Sequence, residues 1–308
     1  MSLKSFIKSI LDSTELILLI AIILPLIFII DVNPIKFSIE IILGIVMFLS
    51  IRPFFEQKSD TNAVRKDTKG VVISLLLNYV LLSGAYLLFA LIFFPVSSDY
   101  FIGYILLAII SPAVSIVPLC YLTKCDIRVA DKALVIGFFL ALIIIPASLY
   151  FVFGNNINFM LLARALFIII LIPLFLAYLT RNAHSKIFSY TKMLTNILIG
   201  LIVFIVVSLN RSTLININDI NIVHIFVINV TVIFVLGLTV YFFSRRFVPE
   251  MDAIDYSLYA TQKNEATGLA IALVMFTSNT AIPLIVALVV QFLYFIVFER
   301  FVISKTIY

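Results

Sequence analysis

A lysine and a glutamate, Lys263 and Glu265, lie in the middle of an otherwise apolar segment of this 308-residue chain. Charged side chains at bilayer depth are costly and usually mark a site where a polar solute binds or passes. The same run carries further polar side chains, namely Thr261, Gln262, Asn264 and Thr267. Because the rest of the chain has little polar chemistry, we expect the binding site to lie here.

Lys263 has two possible roles. It could supply the positive charge for an anionic substrate, either as a fixed counter-ion or as a protonatable switch. It could instead form a structural ion pair with Glu265 or with Glu40. Residues i and i+2 of a regular helix do not face each other, but unwound backbone could bring Lys263 and Glu265 together. The sequence leaves both roles open.

The composition is that of a polytopic membrane protein. Hydrophobic residues make up 63% of the chain, charged residues make up 12%, and the mean hydropathy is +1.22. A soluble domain of this length could not bury so much apolar surface. The net charge of +5 does not indicate a nucleic-acid partner, because the basic residues lie in short loops between apolar runs. The lipid bilayer is the expected partner.

Apolar runs predict ten membrane spans, since each crossing needs about 20 apolar residues. Their approximate ranges are 15–30, 36–54, 70–94, 101–123, 130–153, 159–180, 187–208, 222–244, 252–277 and 280–303. The first is interpreted as a permanent helix, preceded by an interfacial helix at residues 3–14. Lysine and arginine cluster on one side, and the opposite loops hold only Lys36 and Arg211. We therefore expect a multi-pass protein of the cell (inner or plasma) membrane with both termini in the cytoplasm.

The spans repeat with an offset of about 150 residues, which is typical of transporters built from inverted repeats. Asn78 in span 3 corresponds to Asn229 in span 8, and Pro25 in span 1 corresponds roughly to Pro173 in span 6. Residues 1–153 would form one five-span repeat and residues 154–308 the second. Because five is odd, the second repeat must enter the membrane from the opposite side. The alternative is that ten evenly spaced helices imitate a repeat by chance.

Spans 4 and 9 occupy equivalent positions, and both are predicted to be broken. Span 4 carries Pro112 and Pro118, and a proline inside a helix removes a hydrogen bond and clashes with the preceding turn. We expect the helix to open between them. In span 9 we expect the break at residues 267–268, because one of the two is glycine, which is a poor helix former. Irregular backbone at this depth lines a cavity or is buried in protein, so paired breaks predict a midplane binding site. A simple proline kink in span 4 is the alternative.

The chain at this point resembles the bile acid:sodium symporter family, within a superfamily that includes arsenite-efflux and auxin-efflux carriers. Lys263-Asn264, followed by a helix rich in leucine and alanine, is similar to the family's Gln-Asn or Arg-Asn pair. Pro112 and the pair at residues 125–126 are similar to the proline and the Gly-Asp of its fourth span. The resemblance implies an all-α fold with a panel domain of spans 1, 2, 6 and 7 and a core domain of spans 3–5 and 8–10. It also implies that Asn78 reaches an ion site, with Asn229 a weaker candidate.

The sodium ligands of the family are incomplete here. No asparagine adjoins Ser115, span 5 is apolar from residue 133 to residue 153 except for Ser148, and no acid directly precedes Lys263. The coupling ion stays open between sodium, a proton and none. Ala113 replaces the cysteine that arsenite carriers place after the span 4 proline. No cofactor or metal site is predicted, and Cys120 and Cys125 are interpreted as inert packing residues.

The sequence therefore predicts a secondary transporter that moves a small organic anion by alternating access where spans 4 and 9 cross. A membrane sensor or scaffold of the same fold is the alternative. An enzyme is not expected, because His184 and His224 are isolated at span ends. The substrate, the direction of transport and the oligomeric state are left open. The candidate site residues are Ser111, Pro112, Ser115, Pro118, Asn78, Thr261, Gln262, Lys263, Asn264 and Glu265, with Asn229 and Thr267 weaker.

Overall fold

The computed structural model describes residues 14–56, 64–123, 125–154, 157–183, 190–215 and 219–303. Within these ranges the secondary structure is helical, and the β-type pairing is one isolated bridge between Pro112 and Lys263. The predicted all-α class is confirmed for these residues. Residues 3–13 of the predicted interfacial helix lie outside the described part of the chain.

The described helices follow the predicted apolar runs closely. Their bounds are α1 Thr14–Ile27, α2 Ile39–Glu56, α3 Thr68–Phe93, α4 Asp99–Ile109, α5 Ile116–Thr123, α6 Ile127–Phe153, α7 Phe159–Leu179, α8 Thr191–Leu209, α9 Ile220–Ser244, α10 Glu250–Tyr259, α11 Glu265–Met275 and α12 Ser278–Phe298. In the described part of the chain, five helices (α3, α6, α7, α9 and α12) are long and apolar enough to cross a membrane. The chain is thus a multi-pass membrane protein, while ten spans and an inverted repeat stay predictions.

Polar side chains fix where several helices begin. Ser98, Asp126, Asn158 and Asp219 each precede a helix and accept a hydrogen bond from a backbone N–H of its first turn, at 2.9–3.1 Å. The first N–H groups of a helix have no partner inside the helix, so such a cap stabilises it, typically by about 1 kcal/mol. These caps set the entry points of α4, α6, α7 and α9.

Two groups of helices can be distinguished by their packing. The first group consists of α1, α2, α7 and α8, in which α1 packs on α8, and α2 packs on both α7 and α8. In the second group α9 packs on α10 and α12, and α3 packs on α6. At Gly103 of α4 an added Cβ would lie 2.5 Å from the Thr280 carbonyl oxygen, so α4 approaches the start of α12 more closely than any larger residue allows.

The breaks in spans 4 and 9 differ in detail from the sequence prediction. The first break lies between Ile109 and Ile116, so it includes Pro112 but ends before Pro118. Pro118 is the third residue of α5, where its missing N–H would have had no helical partner. Gly268 does not open span 9 either, because it lies inside α11 after a break at residues 260–264. An added Cβ there would clash with the Leu284 side chain, so Gly268 packs closely against α12.

The interpretation of the two cysteines as inert packing residues is wrong. Cys120 and Cys125 are joined by a disulfide, with their Cα atoms 4.9 Å apart. The chain turns back after α5, and the Cys125 N–H donates to the Cys120 carbonyl oxygen at 3.2 Å. Their spacing near the end of predicted span 4 gave no sign of this contact.

Candidate functional site at the two helix breaks

The two unwound segments pair with each other. The Asn264 N–H donates to the Ser111 carbonyl oxygen at 2.9 Å, and the Ala113 N–H donates to the Gln262 carbonyl oxygen at 3.3 Å. These bonds flank the antiparallel bridge between Pro112 and Lys263. Non-helical backbone at membrane depth needs partners inside the protein, and each break supplies them to the other.

The Lys263 side chain crosses from its own break to the end of α4. Its ammonium donates to Ser83 Oγ at 3.0 Å and to the carbonyl oxygens of Ala108 and Ile110, each at 3.1 Å. The Tyr79 ring centroid lies 4.8 Å from Nζ, within cation–π range. The side chain is fully buried. The last carbonyls of a helix lack helical partners, and a cation there is favourable, so Lys263 caps α4.

Asn78 has the corresponding role at the end of α10. Its Nδ2 donates to the carbonyl oxygens of Tyr259 and Gln262, each at 2.9 Å. Asn78 lies in a π-helical turn of α3 at Leu77–Leu82, and turns of this kind are frequent at functional sites. The residues capped in the two breaks, Ala108 and Tyr259, are separated by about 150 residues, the offset expected of an inverted repeat.

Glu265 does not pair with Lys263 within the described structure. Its Oε2 accepts from Gln291 Nε2 at 2.6 Å, and its Oε1 is buried without a hydrogen-bond partner. Gln291 in turn accepts from the Lys263 N–H at 3.2 Å, and its own carbonyl accepts from Gln262 Nε2 at 3.2 Å. The Glu265 carboxylate therefore bonds to Gln291, and no direct ion pair with Lys263 is formed among the described residues. The side chain of Glu40, the other suggested partner, lies outside the described part of the chain.

Asn264 begins α11 and faces a small cavity. Its Oδ1 accepts from the Thr267 N–H at 3.4 Å, and its Nδ2 lies 3.5 Å from Ser111 Oγ. The cavity lies between the breaks and helices α2 and α7. It is lined by Leu43, Val46, Met47, Val114, Ile169, Asn264, Ala266 and Thr267. Its walls are apolar apart from Asn264 and Thr267.

Four predicted site residues have other positions. Thr261 donates back to the Ser257 carbonyl oxygen at 2.9 Å, and Ser115 is partly exposed at the start of α5. Pro118 lies in α5, and its side chain is outside the description. Asn229 donates to Tyr104 Oη at 3.1 Å and to the Ile225 carbonyl of its own helix at 2.9 Å. Asn229 therefore does not reach the paired breaks through these bonds.

Three residues of the site were missed by sequence reasoning, namely Tyr79, Ser83 and Gln291. Ser83 donates to the Ala108 carbonyl at 2.5 Å while accepting from Lys263. Gln291 lies in the apolar helix α12, whose sequence from Ile282 to Phe298 has no other amide or charged residue. A lone amide in such a run was the signal that could have identified it.

Comparison with known proteins identifies the family of this chain. The pattern of the sodium bile acid symporter family matches residues 40–217, which is more than half of the chain. The chain belongs to the sodium bile acid symporter family. Members of this family are membrane transporters rather than enzymes, which agrees with the resemblance noted in the sequence. The matched region includes Asn78 and the first break but ends before Lys263. No curated protein matches the chain.

Proposed function

We propose that this family member is a secondary transporter that moves a small organic anion by alternating access at the paired breaks. Lys263 takes the place of a coupling cation, so transport does not require sodium. Helices α1, α2, α7 and α8 would form the panel domain, and the other helices would form the core domain that rocks against it. Both termini would lie in the cytoplasm, because lysine and arginine are concentrated on that side.

The observation that carries this proposal is the set of oxygens around the Lys263 ammonium. A backbone carbonyl pair with a hydroxyl is a set of hard oxygen ligands, the kind that a small cation prefers. Here Ser83, Ala108 and Ile110 direct their oxygens at Nζ instead. The carbonyl pair of the other break is occupied by the Asn78 amide. At each break, a nitrogen atom of the protein therefore donates to the oxygens that could otherwise bind a cation.

The lining of the cavity beside Asn264 favours an anionic substrate with an apolar body, and because the cavity volume is only about 10 Å³, the breaks must move apart to admit one. Apolar side chains form most of its walls, and the amide and hydroxyl of Asn264 and Thr267 supply polar contacts. The N-terminus of α11 starts at the same place, and helix N-termini carry partial positive charge. Transporters commonly direct such half-helix ends at anionic substrate groups. A small carboxylate meets all three requirements.

A sensor or scaffold is the second candidate. One observation favours it: three oxygens of the protein accept hydrogen bonds from the Lys263 ammonium, and these contacts stabilise the paired breaks in one arrangement. In that case the fold would signal through a partner rather than move a solute.

Flux measurements separate the two candidates. The full-length protein would be reconstituted in liposomes and tested with radiolabelled cholate, benzoate, pyruvate and succinate, in sodium or in choline buffer. We expect saturable uptake of at least one probe above protein-free liposomes, at equal rates in both buffers. Uptake that requires sodium would contradict the role of Lys263. Absence of flux for every probe would favour the sensor.

A further inference from the structure

Outside the paired breaks, a second buried cluster combines two sulfur ligands with a carboxylate. Cys120, Cys125 and Asp255 bring their ligand atoms within 4.8 Å of one another. All three side chains are buried, with exposed fractions of 0%, 3% and 0%. They come from three places in the fold: α5, the turn after α5, and α10.

The carboxylate of Asp255 is oriented but incompletely bonded. Ser74 donates to Asp255 Oδ2 at 3.0 Å, whereas Oδ1 is buried without a hydrogen-bond partner. A buried carboxylate oxygen with no donor is costly. Hydrogen bonds that orient a metal-binding group from behind are a general feature of metal sites, and Ser74 has that position.

We propose that the reduced form of this cluster binds a thiophilic divalent cation, with Zn²⁺ as the best fit. Two thiolates and one carboxylate are ligands that zinc prefers, and three protein ligands leave its fourth position to water. The site would join α5 to α10, the half-helices that flank the two breaks. Zinc would therefore hold the breaks together and slow any movement between them.

The disulfide must open before the metal binds. A dithiol or glutathione supplies two electrons and two protons, the Cys120–Cys125 bond breaks, and two thiols form while the reductant becomes a disulfide. Binding of Zn²⁺ then releases the two thiol protons and forms two Zn–S bonds. The predicted orientation places this end of α5 at the cytoplasmic side, where thiol buffers keep cysteines reduced. Oxidation would remove the site, so binding depends on redox state.

Two partly exposed acidic residues neighbour the cluster along the chain. Asp126 directly follows Cys125 and is partly exposed, and it forms an ion pair with Arg128 at 3.5 Å. Asp252 lies one helical turn before Asp255 in α10 and is also partly exposed. Negative side chains near a site raise the local concentration of cations.

Cadmium titration of the purified full-length protein tests the proposal without a transport assay. After reduction with a phosphine and removal of metals, Cd²⁺ should produce thiolate charge-transfer absorption that saturates at about one ion per chain. The chain has only two cysteines, so the signal can arise from no other thiol. Protein reoxidised with diamide should give no such signal.

Variants of the proposed ligands test which side chains bind the metal. Cys120→Ser and Cys125→Ser should each abolish the saturable signal, and Asp255→Asn should weaken Cd²⁺ and Zn²⁺ binding about tenfold or more. Asp126→Asn is the matched control and should change binding less than about twofold. Thermal unfolding in chelator would identify any variant that fails to fold, and Ser74→Ala offers a milder second test with intermediate weakening. The proposal is overturned if the reduced protein binds no stoichiometric Cd²⁺, or if Cys120→Ser binds it as the wild type does.

Discussion

The ammonium of Lys263 lies 3.1 Å from the carbonyl oxygen of Ile110, a residue that follows the last turn of the other broken helix. The contact joins two segments separated by 153 positions along the chain. It also explains how a lysine can be fully buried in an apolar protein, because oxygens replace the water that its charge would otherwise lose. In the function proposed above, this cap takes the position of a coupling cation.

Lys263→Gln should reduce transport of an active probe by about tenfold or more, since the shorter neutral side chain cannot satisfy the same oxygens. Lys263→Arg is the matched control because it keeps the positive charge, and we expect it to retain more activity than the glutamine variant. Initial uptake rates in proteoliposomes at equal protein incorporation provide the measurement. Equal rates for wild type and Lys263→Gln would show that the ammonium has no functional role.

Asn78→Leu should destabilise the protein by about 1–3 kcal/mol, because the Tyr259 carbonyl oxygen would lose this donor and the Gln262 carbonyl oxygen would keep only the Ala113 N–H. Asn229→Leu is the matched control. Asn229 donates within its own helix and to a tyrosine hydroxyl, so we expect the smaller loss of the two. Thermal unfolding in detergent would compare them. A larger loss at Asn229 would argue against the cap at the end of α10.

Gly137→Ala should disturb the paired breaks from a distance. An added Cβ at Gly137 would lie 2.7 Å from Pro112 Cδ, and proline cannot move away without shifting the bridge to Lys263. We expect about 1–3 kcal/mol of destabilisation and slower transport. Gly84→Ala is the control, since its Cβ would meet no atom within 4 Å. That substitution should be neutral or stabilising by up to about 1 kcal/mol. Similar effects of the two variants would contradict the packing argument.

Gln291→Leu should affect both charged residues of the second break. It removes the donor to Glu265 Oε2 and the acceptor of the Lys263 N–H, which leaves a buried carboxylate without its described partner. We expect a loss of about 2–4 kcal/mol in stability. Gln291→Glu should be worse, because it would place two carboxylates together. Unfolding measurements would contradict this account if the glutamate variant were the more stable one.

Much of the fold could be predicted from the sequence, because the length and position of the apolar runs indicate where the helices lie. The polar run around Lys263 was equally visible, since charged residues stand out in an apolar helix. The partners were less predictable. Gln291 stands out as a lone amide in an apolar run, but the sequence does not show that α12 brings it to the breaks, and nothing in the sequence marks Ser83 of α3. Pro118 was misjudged for a local reason, because a proline in the first turn starts a helix rather than breaking it.

The disulfide and the Glu265 contact show a second limit on what can be predicted from the sequence. Whether Cys120 meets Cys125 depends on where α5 ends, and helix ends are the least certain part of a sequence prediction. Likewise, Lys263 and Glu265 are close in sequence, yet the backbone between them turns their side chains toward different helices. Nearness along the chain therefore indicated the right region but not the hydrogen-bond partners of the two side chains.

Binding of radioactive sodium to the purified wild-type protein tests the central claim most directly, because it needs no knowledge of the substrate. The account predicts no saturable sodium binding, since protein nitrogens occupy the oxygen clusters of both breaks. Saturable, stoichiometric binding that unlabelled sodium displaces would contradict it.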